Sequence, residues 1–149
     1  MKDTISQDIK HALKNRETEK LSTLRMILAE LQRKEKEKGV AVDEDAAKQI
    51  LQSMVRKRKE AIEQFIKGAR QDLADKEQRE IEFIKHYLPE QLSENQVREH
   101  VLATISELGV RSPKEMGKIM GALMKKLSGQ SDGGLVSRIV KEELQKLES

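Results

Sequence analysis

Basic side chains and glycines alternate along one short segment of this chain in a pattern suited to binding phosphate. Residues 112–127 read SPKEMGKIMGALMKKL. At about 100° per residue on a helix, three lysines fall close to one side with two glycines beside them: Lys114, Lys118, Lys125, Gly117 and Gly121. Lysine ammonium groups bind phosphate oxygens, and a backbone bare of side chains lets a sugar-phosphate strand come close. These residue types and spacings suit a nucleic-acid surface, and they suit close packing of a neighbouring helix as well.

Positive charge is concentrated in this part of the chain. Residues 110–141 contain seven Lys or Arg against two acids, a net charge of +5, whereas the whole chain carries +3. Lys126 and Arg138 join the candidate surface on charge alone. Each neutralised phosphate releases condensed counterions, so a concentrated cationic segment suits RNA binding. The segment contains no aromatic side chain, which favours phosphate and shape contacts over stacking on single-stranded bases.

A packing role for the two glycines is an open alternative. A glycine inside a helix costs roughly 1 kcal/mol relative to alanine, so something must approach that backbone more closely than a side chain allows. The neighbour is either another helix of the same domain or an external ligand. On the apolar side of the same helix, Met116, Met120 and Met124 form either core or a pliable surface for a protein partner.

Side chains for catalysis or metal binding show no comparable pattern. The chain has no cysteine, which excludes thiolate nucleophiles, disulfides and cysteine-ligated metals. No two of His11, His86 and His100 are three or four residues apart, so a metal site has no local support. The chain also lacks the Walker A, G-x-G-x-x-G, G-x-S-x-G and S-x-x-K patterns. We expect no catalytic residues, no cofactor and no metal.

The composition favours packed helices in one or two small domains. Of 149 residues, 36% are hydrophobic and 37% are charged, and with one Tyr, two Phe and no Trp the core must be aliphatic. The charged N-terminal stretch lacks the apolar core of a secretory signal, and no run reaches the ~18 apolar residues of a membrane span. We expect a cytoplasmic protein with no membrane partner.

Helical periodicity runs along nearly the whole chain and predicts an all-α fold. Four helices are predicted first, over about 4–14, 17–38, 44–67 and 71–88. Pro89, followed by a capping box between Ser93 and Gln96, indicates a domain boundary. Three short helices follow, over about 94–108, from about 112 to 127 and after 132. The prediction is an N-terminal helical lobe, 1–89, and a small three-helix C-terminal domain, 90–149.

Four stretches together resemble the YqeY family: LSTLRMILAEL (21–31), RQDLADKEQREIEFIKHYLPEQL (70–92), MGKIMGALM (116–124) and GLVSRIVKEEL (134–144). The resemblance covers essentially the whole chain, in order. The C-terminal half is also similar to the tail domain of the B subunit of glutamine-dependent tRNA amidotransferase. This resemblance implies a two-lobed helical protein whose tail module helps to hold tRNA, and it places Gly117, Lys118 and Gly121 in the candidate tRNA surface.

The resemblance implies an accessory tRNA-binding protein that is not catalytic alone. The amidating cradle of the B subunit, and the glycine- and serine-rich signature of its amidase partner, have no matching positions in these 149 residues. Two alternatives stay open: a carbon–nitrogen ligase with glutamine as amido-N donor, which is the family-level label, and a protein–protein interaction module. The expected partners are tRNA or another structured RNA, together with an amidotransferase or another protein.

Overall fold

The computed structural model describes residues 1–148, and all of their regular secondary structure is helical. Seven α-helices follow one another: α1 Lys2–Lys14, α2 Thr18–Lys38, α3 Glu44–Lys67, α4 Gln71–Lys85, α5 Glu94–Leu108, α6 Met116–Lys126 and α7 Gly133–Glu148. One turn of 3-10 helix, Pro113–Glu115, precedes α6. The described residues contain no β-strand, so the predicted all-α fold is confirmed.

The chain divides into two compact units, Met1–Pro89 and Glu90–Ser149. In the first unit, α2 packs against α1, α3 and α4, and α3 packs against α4. The core of this unit is aliphatic, and its fully buried large side chains are Ile5, Leu24, Ile27, Leu31, Leu51, Ile81 and Ile84. Burial of these side chains is the main stabilising contribution available to a unit with so few aromatic residues.

The ends of α2 and α3 lie at the residues that the sequence predicts. Gly39 ends α2 in the left-handed conformation, with φ 72°, and its N–H donates to the Glu35 carbonyl at 2.8 Å. The Asp43 carboxylate caps α3 by accepting the N–H of Ala46 at 2.8 Å. Both devices satisfy backbone groups that have no partner inside the helix.

Two helices of the first unit differ from the prediction. Helix α1 begins at Lys2 rather than Thr4, and no side chain caps its N-terminus. Helix α4 ends at Lys85 rather than Leu88. The residues after Lys85 form a tighter turn, in which the N–H groups of Tyr87 and Leu88 donate to the Ile84 and Lys85 carbonyls at 3.1 and 3.0 Å. Pro89 disfavours the helical conformation of Leu88 directly before it.

The second unit packs α5, α6 and α7 around a separate aliphatic cluster. Its buried members are Val97, Val101, Ile105, Val110, Ile119, Leu123, Leu127, Val136, Ile139, Val140 and Leu144. Helix α5 begins with the predicted capping box, in which Ser93 and Gln96 each bond the backbone N–H of the other. At its far end the Val110 N–H donates to the Ile105 carbonyl at 3.2 Å, and the side chain of Val110 is buried beside this turn.

Candidate nucleic-acid interface

Helix α6 has one face in the core of the second unit and the other in solvent. Ile119 and Leu123 are fully buried, and Leu127 just beyond the helix is nearly so. Half-buried methionines complete this face by packing against the same cluster: Met116, Met120 and Met124. The methionine side of α6 therefore contributes to the core of the second unit.

Gly117 and Gly121 lie on the solvent side of α6. Both are exposed, and a Cβ atom added at either position would meet no described neighbour within 4 Å. The packing alternative is therefore wrong for the described residues, because no helix fills this space. The bare backbone of α6 is open to whatever approaches from outside the unit.

The lysines beside these glycines extend into solvent. Lys118 and Lys125 lie seven residues apart on α6, which brings them to nearly the same direction about 10 Å apart along the axis. Gly121 lies between them, and Lys114 precedes them on the 3-10 turn. All three lysines are exposed, and none has a side-chain bond or ion pair within residues 1–148. We name the α6 stripe by its five members: Lys114, Gly117, Lys118, Gly121 and Lys125.

The turn that leads into α6 is tighter than the sequence predicts. Ser112 accepts the N–H of Lys114 at 3.3 Å, and the chain makes a 3-10 turn before the α-helix begins at Met116. The Glu115 carboxylate accepts the N–H of Arg111 at 3.4 Å. Lys114 therefore lies in the 3-10 turn, and the rotation of about 100° per residue along an α-helix does not determine its direction.

Lys126 points away from the α6 stripe. It is exposed, but on an α-helix it is rotated by about 140° from Gly121. Lys125 and Lys126 both occupy the last turn of α6, where positive charge stabilises the carbonyl end of a helix. Their presence therefore has a structural cause in addition to any role in binding.

Arg138 on α7 forms one ion pair with α5 and a second within α7. Its Nη2 donates to Glu94 Oε1 at 2.8 Å and its Nη1 donates to Glu142 Oε1 at 2.9 Å. These hydrogen bonds, first the one to Glu94, raise the pKa of the Arg138 guanidinium. Arg98 joins the same network through Glu142 at 2.9 Å. The charge of Arg138 is matched inside the second unit, unlike that of the stripe lysines.

One partly buried charge cluster in the first unit was missed by sequence reasoning. Arg58 Nε donates to Glu80 Oε2 at 3.0 Å and lies 3.8 Å from Glu77 Oε2. The Arg58 side chain is only 13% exposed, although it belongs to the run of four cations RKRK at residues 56–59. Burial, and then the neighbouring Glu80, raise the pKa of the Glu77 carboxyl. The signal in the sequence was Glu77 itself, an acid within the apolar face of α4.

Neither a cluster of metal-binding side chains nor a membrane-spanning helix occurs in the described part of the chain. Residues 1–148 contain no group of three or more His, Cys, Asp or Glu side chains placed to hold a metal ion. None of the described helices combines the length and the apolar character needed to cross a bilayer.

The fold and the α6 stripe define an all-helical protein of two small units, one of which exposes a basic helix face. The family model for YqeY, described as Yqey-like protein, matches residues 2–144. This chain belongs to the YqeY family.

Several fungal proteins are similar to this chain. An uncharacterized protein of Schizosaccharomyces pombe is 38% identical over 90 residues, which cover 60% of this chain and 72% of that protein. Altered inheritance of mitochondria protein 41, mitochondrial, of Lachancea thermotolerans is 31% identical over 112 residues, or 73% and 60% of the two chains. The protein of that name from Pyrenophora tritici-repentis is 26% identical over 141 residues, or 93% and 77%. The chain spans about half to three quarters of the length of its curated relatives.

Proposed function

We propose that this protein binds structured RNA, and tRNA in particular, through the α6 stripe. The observation that carries the proposal is the arrangement around Gly121. Lys118 and Lys125 flank it, both are exposed, and neither has a carboxylate partner in the described residues. Because their charges are unmatched within that part of the chain, they are available to an external anion. The open space above Gly121 gives a strand room to contact the backbone.

Phosphate contacts are the mode of binding that the stripe fits. Structured RNA presents rows of phosphates and 2′-hydroxyls, and proteins recognise it largely by shape. Residues 110–141 contain no aromatic side chain on which bases could stack. We therefore expect weak sequence selectivity and an affinity that falls steeply with salt. The resemblance of residues 116–124 to the amidotransferase tail supports tRNA as the RNA to test.

The role that we infer is an accessory one, in which the chain holds RNA for a protein partner such as an amidotransferase. The compartment belongs to this proposal as well. The sequence predicts the cytoplasm, whereas two of the relatives described above are named as mitochondrial proteins. Fluorescence microscopy of the tagged full-length protein in its native cell distinguishes the two compartments.

Fluorescence anisotropy with labelled tRNA at low salt tests the proposal. The double variant Lys118→Glu with Lys125→Glu should weaken binding by at least about tenfold, because attraction to phosphate becomes repulsion. The matched control is Lys10→Glu with Lys14→Glu on α1. These lysines are also exposed and lack ion-pair partners among the described residues, and each pair has one member in the last turn of its helix.

The two variants separate a local surface from an effect of net charge, because both lower the charge of the protein by the same amount. Loss of tRNA binding in the α6 variant, with little loss in the α1 variant, supports the proposal. Equal losses in both variants would refute it in favour of diffuse attraction, and unchanged binding by the α6 variant would refute it outright.

A further inference from the structure

A cleft at the connection between α2 and α3 combines an apolar lining with positive charge. Its volume is about 400 Å³, within the range of pockets that hold small organic molecules. The apolar lining includes Val42 from the connecting segment and Ile50 and Met54 from α3. Val40 also lines the cleft and is 64% exposed. An exposed aliphatic residue beside a concave surface gives an apolar ligand area to cover.

The acids that line this cleft are already bonded within the protein. Arg33 donates to both oxygens of Glu30, at 2.6 and 3.2 Å, and this bonding is the main cause that lowers the pKa of Glu30. Asp43 accepts the N–H of Ala46 at the start of α3. The lining has four cations, Arg33, Lys34, Lys38 and Lys57, against these two carboxylates, so its net charge is +2.

Lys38 and Lys57 are the two cations of the lining that no carboxylate of the described residues holds in an ion pair. Lys38 is the last residue of α2 and Lys57 lies on α3, so the cleft receives one cation from each helix. Both are exposed, and neither has a hydrogen bond or ion pair in the part of the chain that the structure describes. Gln49 and Ser53 add neutral hydrogen-bonding groups to the same lining.

We propose that this cleft binds a small amphipathic anion, an apolar chain or ring that ends in a phosphate or a carboxylate. The apolar part lies against Val42, Ile50 and Met54, where burial of apolar surface supplies affinity. The anionic group lies near Lys38 and Lys57, which discriminate against a neutral analogue. The site belongs to the first unit and uses none of the α6 stripe, so this proposal does not depend on RNA binding.

The size of the cleft favours a small ligand over a macromolecule. A stable protein–protein interface buries roughly 800 Å² on each partner, far more than a concavity of this volume offers. A nucleic acid would meet lysines here, but it carries no apolar chain to cover Val40 and Ile50. An alkyl group of about eight carbons with one charged end matches both the lining and the volume.

Titration of the full-length protein with octyl phosphate below its micellar concentration tests the proposal. We expect saturable amide shifts in ¹H–¹⁵N spectra that map to the lining of the cleft, which lies within residues 30–57. Octanoate carries the carboxylate head group, octanol lacks charge and inorganic phosphate lacks the chain. At least one of the two amphipathic anions should bind about tenfold or more tightly than octanol and inorganic phosphate, and the tighter of them identifies the preferred head group.

Lysine variants test whether Lys38 and Lys57 bind the anionic group of the ligand. Lys38→Gln with Lys57→Gln should weaken binding of the preferred anion by roughly fivefold to tenfold while the circular dichroism spectrum is unchanged. Lys10→Gln with Lys14→Gln should leave that binding as it is. Absence of saturable shifts, shifts outside the cleft, equal binding of octanol, or an unchanged affinity in the Lys38 and Lys57 variant would each overturn the proposal. Binding to vesicles of anionic phospholipid without binding to either free anion would also overturn it.

Discussion

Arg138 on α7 donates a 2.8 Å hydrogen bond to Glu94 on α5, and its other terminal nitrogen bonds Glu142 at 2.9 Å. The guanidinium thus ties α5 to α7 and is not an unmatched cation like Lys118. The sequence groups these residues by charge, and a charge count does not reveal which carboxylates lie opposite each other after folding. The α6 stripe is accordingly smaller than the surface that the sequence predicts.

Replacement of Arg138 should therefore affect stability more than RNA binding. Arg138→Gln removes the ion pair with Glu94 that joins α7 to α5, together with the ion pair with Glu142 inside α7, and should lower the melting temperature, with tRNA affinity unchanged. Lys118→Gln should show the opposite pattern, because Lys118 has no internal partner in the described residues. Thermal circular dichroism and anisotropy measure the two effects. If Arg138→Gln weakens tRNA binding as much as Lys118→Gln does, Arg138 belongs to the binding surface.

Alanine at Gly121 should separate folding from binding. The added Cβ meets no described neighbour, and alanine loses less conformational entropy in a helix, so Gly121→Ala should stabilise the protein by roughly 0.5–1 kcal/mol. The same methyl group occupies space that a bound RNA strand needs, so affinity should fall. Urea denaturation measures the change in stability, and fluorescence anisotropy measures the change in tRNA affinity. A stabilised variant with full affinity would show that RNA does not contact this backbone.

Loss of Arg58 should destabilise the first unit. Its guanidinium bonds Glu80 at 3.0 Å and the Met54 carbonyl at 3.2 Å, and without it Glu77 and Glu80 are left partly buried beside each other. Arg58→Leu should lower the free energy of unfolding by roughly 1–3 kcal/mol. The control is Arg25→Leu, at an exposed position of α2, for which we expect a change within about 0.5 kcal/mol. Equal losses would contradict a special role for Arg58.

The raised pKa of Glu77 predicts a pH-dependent stability. A carboxyl whose pKa is higher in the folded state binds its proton more readily there, so its contribution favours folding at low pH. That contribution is lost as the pH rises through the raised value. Glu77→Gln resembles the protonated form and should increase the free energy of unfolding near neutral pH, with a smaller effect below the ordinary pKa of glutamate.

Urea denaturation at both pH values tests the behaviour of Glu77. Glu63→Gln is the matched control, because Glu63 is an exposed acid on α3 whose replacement should have little effect at either pH. Glu77→Gln could instead raise the free energy of unfolding equally at both pH values, or lower it near neutral pH. Either result would show that proton binding by Glu77 does not cause the pH dependence of stability.

Helix ends were predictable where one or two neighbouring residues determine them. Gly39 and Asp43 fix the ends of α2 and α3 through their own backbone and side-chain bonds, and such signals are local. The start of α6 was not predictable in this way. Ser112 and Pro113 suit the first turn of an α-helix and a 3-10 turn equally well, and the choice depends on the packing of the whole unit.

Burial was predictable for the centre of each apolar face but not for its edges. Periodicity predicts that Leu102 and Leu147 are buried, yet they are 47% and 53% exposed. Spacing along a helix shows which direction is apolar, whereas the width that a neighbouring helix covers depends on tertiary structure. The pairing of Arg58 with Glu80 escaped prediction for the same reason, since 22 residues separate them along the chain.

The salt dependence of tRNA binding tests the role of Lys118 and Lys125 most directly. Each lysine that contacts a phosphate contributes about one unit to the slope of log affinity against log salt concentration. Lys118→Gln with Lys125→Gln should therefore lower the magnitude of that slope by about 2 and weaken binding at low salt. An unchanged slope with unchanged affinity would contradict the proposed interface, because neither lysine would then lie at a phosphate.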